Sequence, residues 1–276
     1  MMDQSNEELE ISLLLTAIKQ KYDVDYTNYR SAYIRRRIEH RMRFLGLQSI
    51  TALTNQIIHD EQAARALLKD ISINVTDMFR CPEFFKELKK EIVPILKTYP
   101  SVRIWHAGCS TGEEVLSMAI LLKEEGILNR TSILATDNNE DVLEIAKRAI
   151  FPANRLRDWT ENYTDAGGEE SFSTYYDVKY NQAKFDESLL DRVTFKKHNL
   201  LDDLYPKDFH LIVCRNVLIY FNEENQKKVV HKFHFSLKDN GYLGLGLKES
   251  IKRENLGEFK AVSSRFKIYQ KVFKDA

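Results

Sequence analysis

Short apolar runs alternate with helix-length amphipathic segments from residue 102 onward, and this alternation restricts the chain more than any other feature. Val102–Ala107 reads as a strand, Glu113–Glu125 as a helix, Thr131–Thr136 as a strand and Glu140–Ala149 as a helix. Arg192–Lys197 and Phe209–Cys214 follow as strands, Glu223–Leu237 as a helix, and Gly241–Leu247 and Arg265–Val272 as terminal strands. Strands separated by helices of this length need crossover connections, so the pattern predicts a parallel sheet covered on both faces, a doubly wound α/β domain. With 276 residues, 43% of them hydrophobic, the chain can bury such a core, and only 10 Gly and 5 Pro leave little irregular structure.

The first 73 residues lack strand signals and are helical in period from Glu8 onward. Between Tyr29 and Leu45 the apolar residues Tyr33, Ile34, Ile38, Met42 and Leu45 recur at three- and four-residue steps, with Arg35, Arg36, Arg37, Arg41 and Arg43 on much of the remaining surface. Gly46 is placed to end this basic helix, and two shorter helices, Ser49–His59 and Glu61–Ile71, complete an all-helical domain. We expect this domain at 1–73 and the α/β domain at 74–276, entered through a helix at Pro82–Leu96. Residues 151–191 interrupt the alternation, and Tyr175–Phe185 within them reads as a hairpin, giving a small inserted β subdomain.

Lys+Arg and Asp+Glu both total 41, so the overall charge does not call for nucleic acid or an anionic membrane. The start, MMDQSNEELE, lacks the basic and then apolar character of a signal peptide, and no apolar stretch approaches the roughly 20 residues of a membrane span. Cys81, Cys109 and Cys214 are too few and scattered for a disulfide framework or metal cluster. The expectation is a cytoplasmic monomer without membrane insertion and without a metal.

Ligands of doubly wound sheets bind beyond the carboxyl ends of the strands, which directs attention to the first strand-to-helix turn, His106-Ala-Gly-Cys-Ser-Thr-Gly-Glu-Glu114. Its spacing is not G-x-G-x-x-G, and Glu113 and Glu114 put negative charge where a pyrophosphate would sit, which favours a cationic ligand. Alternatively, the two carboxylates only complement the helix dipole. Asp137, ending the second strand, can accept both hydroxyls of a ribose or cap the helix that starts near Glu140. An adenosine-bearing ligand with a positive centre and an amino-acid tail satisfies both carboxylate positions, and S-adenosylmethionine has those parts. Asn216 and Tyr220 are polar residues in an apolar run, placed either for a ligand or for internal hydrogen bonds.

The ordered set Asn74-x-Thr-x-x-Phe-Arg80, Ser110-Thr-Gly-Glu-Glu114, Ala135-Thr-Asp137, Asn199-Leu200 and Cys214-Arg-Asn-Val-Leu-Ile-Tyr-Phe221 resembles the CheR family of chemotaxis-receptor glutamate methyltransferases over nearly the whole chain. The resemblance implies a Rossmann-like class I methyltransferase domain that moves a methyl group from S-adenosylmethionine to glutamate side chains of chemoreceptors. It implies Asn74, Thr76 and Arg80 at the methionine end of the cofactor, Glu114 on its amine with Glu113 as the alternative, and Asp137 on the ribose. It further implies Asn199 and Leu200 around the adenine, Arg215 and Asn216 lining the site, and Tyr220 near the reacting sulfur. Arg80 is expected to anchor the cofactor carboxylate, because a tight pair with the attacking carboxylate would stabilise reactant over transition state. The arginines of the basic helix are either a solvated face or a dock for the acidic helical bundle of a receptor.

Two stretches depart from the family pattern. Glu113-Glu-Val-Leu116 replaces Glu-Glu-Pro-Tyr, and Gly246-Leu-Lys-Glu-Ser250 replaces Gly-His-Ser-Glu. The hairpin segment lacks the glycine-rich turn of relatives that dock on a receptor's C-terminal tail, so no tail tether is expected. A nucleic-acid methyltransferase acting on a base amine needs an Asn/Asp-Pro-Pro-aromatic motif, and Cys214-Arg-Asn-Val has no proline. A cofactor-binding module without turnover is the other competing reading.

Overall fold

The computed structural model describes residues 4–71, 76–201, 203–251 and 253–272. Two compact units are present: Met1–Ile73 with Tyr220–Asn225, and Asn74–Ile219 with Gln226–Ala276. The first contains α1 (Gln4–Tyr22), α2 (Ser31–Leu45), α3 (Ile50–His59) and α4 (Glu61–Ile71). Apolar residues at helical spacing meet in its core, where Leu14, Ile18, Ile34, Ile38, Leu53, Ile57, Leu67 and Ile71 are almost fully buried, each such side chain contributing roughly 1.5–3 kcal/mol by leaving water. Gly46, at φ 68, ends α2, and Ser49 caps α3 by accepting from the Ala52 N–H. Segment Tyr220–Asn225 belongs to this unit, where the Arg30 N–H donates to the Tyr220 carbonyl at 2.9 Å and the Asn222 N–H to that of Asn28 at 3.2 Å. The division at residue 73 expected from sequence therefore assigns these six residues differently.

The second unit opens with α5 (Pro82–Glu87), a π-helical turn at Leu88–Ile92 and α6 (Val93–Leu96). Pro94 has no N–H to offer the carbonyl four residues back, and the preceding turn is the wide one. Then come β1 (Val102–Ala107), α7 (Glu113–Glu124), β2 (Thr131–Asp137) and α8 (Glu140–Arg148). They are followed by β3 (Ile150–Pro152), α9 (Leu156–Asp165), β4 (Tyr176–Lys179), β5 (Gln182–Phe185), β6 (Val193–Lys197) and β7 (Phe209–Cys214). The chain ends its regular structure with α10 (Glu223–Ser236), β8 (Leu237–Leu245), β9 (Phe259–Ser263) and β10 (Ile268–Lys271).

Seven strands form the main sheet in the order β6-β2-β1-β7-β8-β10-β9. Pairings among β6, β2, β1, β7 and β8 are parallel, whereas β10 pairs antiparallel with both β8 and β9. The sheet is thus mixed: the parallel α/β reading holds for its five-stranded part, and β9, which the sequence reading did not contain, joins β10 in an antiparallel extension. The order reverses between β1 and β7, placing a topological switch point there. In the 151–191 segment the expected hairpin is β4–β5, turning at Tyr180 and Asn181, both at positive φ. Its sheet gains β3, and α9 buries Trp159 and Tyr163.

Candidate functional site

The carboxyl ends of β1, β2 and β7 and the turns that follow them carry Glu114, Asp137, Arg215 and Asn216. After β1 the chain turns at Gly108 (φ 82), where a Cβ would lie 2.4 Å from Val217 Cγ2 in the loop after β7. Only a residue without a side chain permits this approach of the two loops. The Gly108 and Cys109 N–H groups donate to the Thr136 carbonyl, both at 2.8 Å, so the turn lies against the end of β2.

Asp137 occupies that end. Its Oδ2 accepts from the Ser110 N–H at 2.9 Å and its Oδ1 from the Asn139 N–H at 3.0 Å. The cap of α8 is Asn139, whose side chain accepts from the Asp141 N–H at 2.9 Å, so Asp137 is not spent as a helix cap. Burial raises the Asp137 carboxyl above its ordinary range, against the pull of these N–H donors. Each oxygen retains a lone pair for a further donor. The Asp137 carbonyl accepts from His198 at 3.0 Å, which brings the loop containing Asn199 and Leu200 to the same edge. Asn199 Oδ1 accepts from the Leu201 N–H at 2.9 Å, and the Leu200 carbonyl accepts from the Tyr205 hydroxyl at 2.7 Å.

The two glutamates opening α7 differ sharply. Glu114 lies 3.2 Å from His106 Nδ1 through Oε1 and accepts from Arg215 Nη1 at 2.8 Å through Oε2. Burial alone would raise its carboxyl, but Arg215 and His106 outweigh burial and hold it below the ordinary range. Glu113 pairs with neither and accepts from the Thr111 hydroxyl at 2.6 Å; burial pushes it up to about 7, against the pull of the Thr111 bond and the charge of Arg155. The helix-dipole reading accounts for neither environment.

Arg215 is the surprise among the site residues. Its side chain is 1% exposed and its guanidinium sits 4.1 Å from the centroid of Phe84, with Nη2 donating to the Arg80 carbonyl at 2.9 Å. A group so enclosed bonds the protein's own loops, tying the turn at Arg80 to the start of α7. Around Arg80 the backbone is strained, since Phe79 (φ 49) and Cys81 (φ 57) are both left-handed. The bonds that hold that turn include Arg215 to the Arg80 carbonyl, Asn162 Nδ2 to the Met78 carbonyl at 3.0 Å, and the Phe79 N–H to Ser117 Oγ at 2.8 Å. Thr76 is half-buried two residues before Met78, and Asn74 lies outside the described residues. Asp77 binds the inserted segment, accepting from Trp159 Nε1 at 3.0 Å and pairing with Arg155.

Asn216 is half-buried at φ 62, with its N–H held by Glu249. The two residues that depart from the family pattern after β8, Leu247 and Lys248, are exposed, whereas Glu249, which matches its glutamate, is buried. Sequence reasoning did not single out Glu249, His106 or Ser117; the signal for the first was the glutamate that Gly246-Leu-Lys-Glu249 shares with Gly-His-Ser-Glu. Tyr220 is found in the first unit, its ring stacked on Tyr29 with centroids 6.3 Å apart and 4.9 Å from that of Tyr33. On α2, Arg36 and Arg43 are exposed, Arg35 pairs with Glu7 at 3.0 Å, and Arg37 lies over the Tyr33 ring. Arg41 is tied to Asp70 at 2.6 Å and to the Ala66 carbonyl at 2.8 Å, so it braces α2 against α4 and is not available as expected for docking.

Residues 74–268 match the family described as CheR methyltransferase, SAM binding domain, and residues 9–72 match CheR methyltransferase, all-alpha domain. The chain belongs to the CheR methyltransferase family. A Pseudomonas putida protein named Cher3 is 45% identical to it over 266 residues, 96% of this chain and 95% of its own. The chemotaxis protein methyltransferase of Borreliella burgdorferi is 33% identical over 263 residues, 88% of each chain, and that of Listeria innocua 31% over 240 residues, 85% of this chain and 87% of its own. As a CheR methyltransferase the protein uses S-adenosylmethionine. The donor set fits that cofactor: Asp137 has acceptor capacity to spare for hydroxyls, and α7 opens on two carboxylates with no cationic side chain in residues 107–114. Among the described residues no cluster of His, Cys, Asp and Glu could hold a metal ion, and no helix is long and apolar enough to cross a membrane.

Proposed function

We propose that the chain methylates glutamate side chains of chemoreceptors, forming methyl esters at the expense of S-adenosylmethionine. The observation that carries this reading is the joint match of both CheR domains, which together span residues 9–268 almost without a gap. S-adenosylmethionine supplies a methyl group on a sulfonium centre. A glutamate, with an ordinary pKa of about 4.3, is already ionised at neutral pH, so the protein need not remove a proton. Its task is alignment, and holding reactants as a near-attack pair can contribute roughly 7–11 kcal/mol.

In this reading Asp137 receives the ribose hydroxyls, Asn199 and Leu200 flank the adenine, and Glu114 meets the cofactor amine while retaining His106 and Arg215. Asn74, Thr76 and Arg80 take the methionine end, with Arg80 on the cofactor carboxylate. Arg215 acts from behind, by holding the Arg80 carbonyl. Asn216 lines the site from the loop after β7. The receptor's helical bundle is met by the exposed arginines of α2, Arg36 and Arg43. The two-residue turn of the β4–β5 hairpin, Tyr180–Asn181, contains no glycine and supports docking without a receptor tail. The protein acts as a cytoplasmic monomer on protein and not on nucleic acid.

Labelled-methyl transfer to receptor preparations tests this directly. Base-labile label on receptor, equal with and without the receptor's C-terminal tail, is the expected result. Label in nucleic acid, or binding of cofactor without transfer, contradicts it.

A further inference from the structure

The strongest unassigned arrangement in the second unit is a buried carboxylate wrapped by main-chain donors. Glu249 is 5% exposed, and its Oε2 accepts from the N–H groups of Asn216 at 2.9 Å and Gly246 at 2.6 Å. Its Oε1 accepts from Val217 at 2.9 Å and Ile219 at 3.3 Å. The Glu249 N–H closes the loop by donating to the Gly246 carbonyl at 2.9 Å. A Cβ at Gly246 would stand 2.7 Å from the carboxylate and 2.9 Å from the Asn216 nitrogen, so glycine is what admits the carboxylate between the two loops.

Such a concavity of N–H groups ordinarily receives a bound anion. The protein here supplies the anion itself, from the loop after β8, to shape the loop after β7. Burying a carboxylate is costly unless its hydrogen bonds are met, and apolar packing would join two loops at less cost. What apolar packing cannot do is aim backbone N–H groups from two loops, three of them within residues 216–219, including a non-glycine residue at φ 62.

We propose that Glu249 is a positioning residue for cofactor binding: it sets the left-handed conformation of Asn216 and the course of residues 216–219. The proposal rests on the reading above, in which Asn216 faces the cofactor. It also gives meaning to the family departure at Gly246-Leu-Lys-Glu249, where the two altered side chains are exposed and the buried acid does the structural work.

Glu249→Gln presents an amide NH2 in place of one acceptor oxygen, so two main-chain donors face a donor. The test is calorimetric titration with S-adenosylhomocysteine of the wild type, Glu249→Gln, Asn216→Gly and the double variant, with thermal unfolding of each. Glu249→Gln is expected to unfold cooperatively but to bind about 10- to 100-fold more weakly, by analogy with the loss when an outer group that orients a metal ligand is removed. The KM for S-adenosylmethionine rises by a similar factor while the KM for receptor stays. In the Asn216→Gly background, where the backbone no longer resists the left-handed conformation, the same change costs less than about threefold. Binding by Glu249→Gln within twofold of wild type, or equal losses in both backgrounds, overturns the proposal. If Glu249→Gln does not fold, Glu249→Asp keeps the charge one methylene short, and native affinity in that variant overturns it equally. A folded wild type that does not bind S-adenosylhomocysteine would refute the cofactor reading instead.

Discussion

Arginines on α2 and the arginine after β7 meet opposite fates in one chain. Arg36 and Arg43 are exposed, and their neighbours Arg35 and Arg37 rest on a surface carboxylate and a tyrosine ring. Arg215 is enclosed, stacked on Phe84 and bonded to Glu114 and to the Arg80 carbonyl. Arg41 lies between these extremes, half-buried against Asp70. The difference teaches that arginine-rich sequence does not report one function. Where water screens the charge it can steer a partner, and where water is excluded it fixes backbone.

The contrast can be broken most forcefully at Arg215. Arg215→Met leaves the Glu114 carboxylate buried without its cation, and urea unfolding should show a loss of about 3–5 kcal/mol. Adding Glu114→Gln should restore part of that loss, whereas additive losses would mean that the pair is not coupled.

Next in size is Glu113, the other glutamate in the first turn of α7. Its carboxyl is pushed up to about 7 by burial, so the folded chain holds that proton more tightly than the unfolded chain, whose glutamates titrate near 4.3. The stability this contributes is complete below the unfolded value and is lost as pH rises through about 7. Between pH 5 and 8, wild type should lose about 2–3 kcal/mol relative to Glu113→Gln. Parallel pH profiles for the two proteins would show that Glu113 does not titrate in this range.

Arg41→Glu sets like charges together at Asp70, and about 1–2 kcal/mol should disappear from the stability of the chain. Arg36→Glu with Arg43→Glu should change stability by no more than about 0.5 kcal/mol. That double variant should nonetheless slow receptor methylation several-fold at low salt, with the deficit shrinking as ionic strength rises. A salt-independent deficit would point to contact and not to steering, and no deficit would return α2 to a solvated face.

Much of this organisation is legible from the chain itself. Periods of two and 3.6 residues disclose β1, α7, β2, α8 and β7 nearly to the residue, because each is long and apolar on a regular face. Three-residue β3 and solvated β9 are too short or too polar to carry a period, and α9 hides in a segment whose aromatic residues are interleaved with charge. The cofactor turn stood out through its glycines and acids. What each acid does depends on residues distant in sequence: Arg215 and His106 set the state of Glu114, while Glu113, one position earlier, lacks them. Nothing in the local sequence separates Arg41 from Arg36, since only the fold brings Asp70 beside one and not the other. Glu249 is the extreme case, its partners being main-chain groups that no side-chain pattern records.

The central claim is that the turn after β1 and the end of β2 hold an adenosine cofactor through Asp137. Calorimetric titration of the purified chain with S-adenosylhomocysteine, beside an Asp137→Ala variant of native stability, tests it most directly. Tight binding by wild type and a loss of about 100-fold or more in the variant, roughly 2.7 kcal/mol, is the predicted result. Equal affinity in the two proteins would contradict the claim.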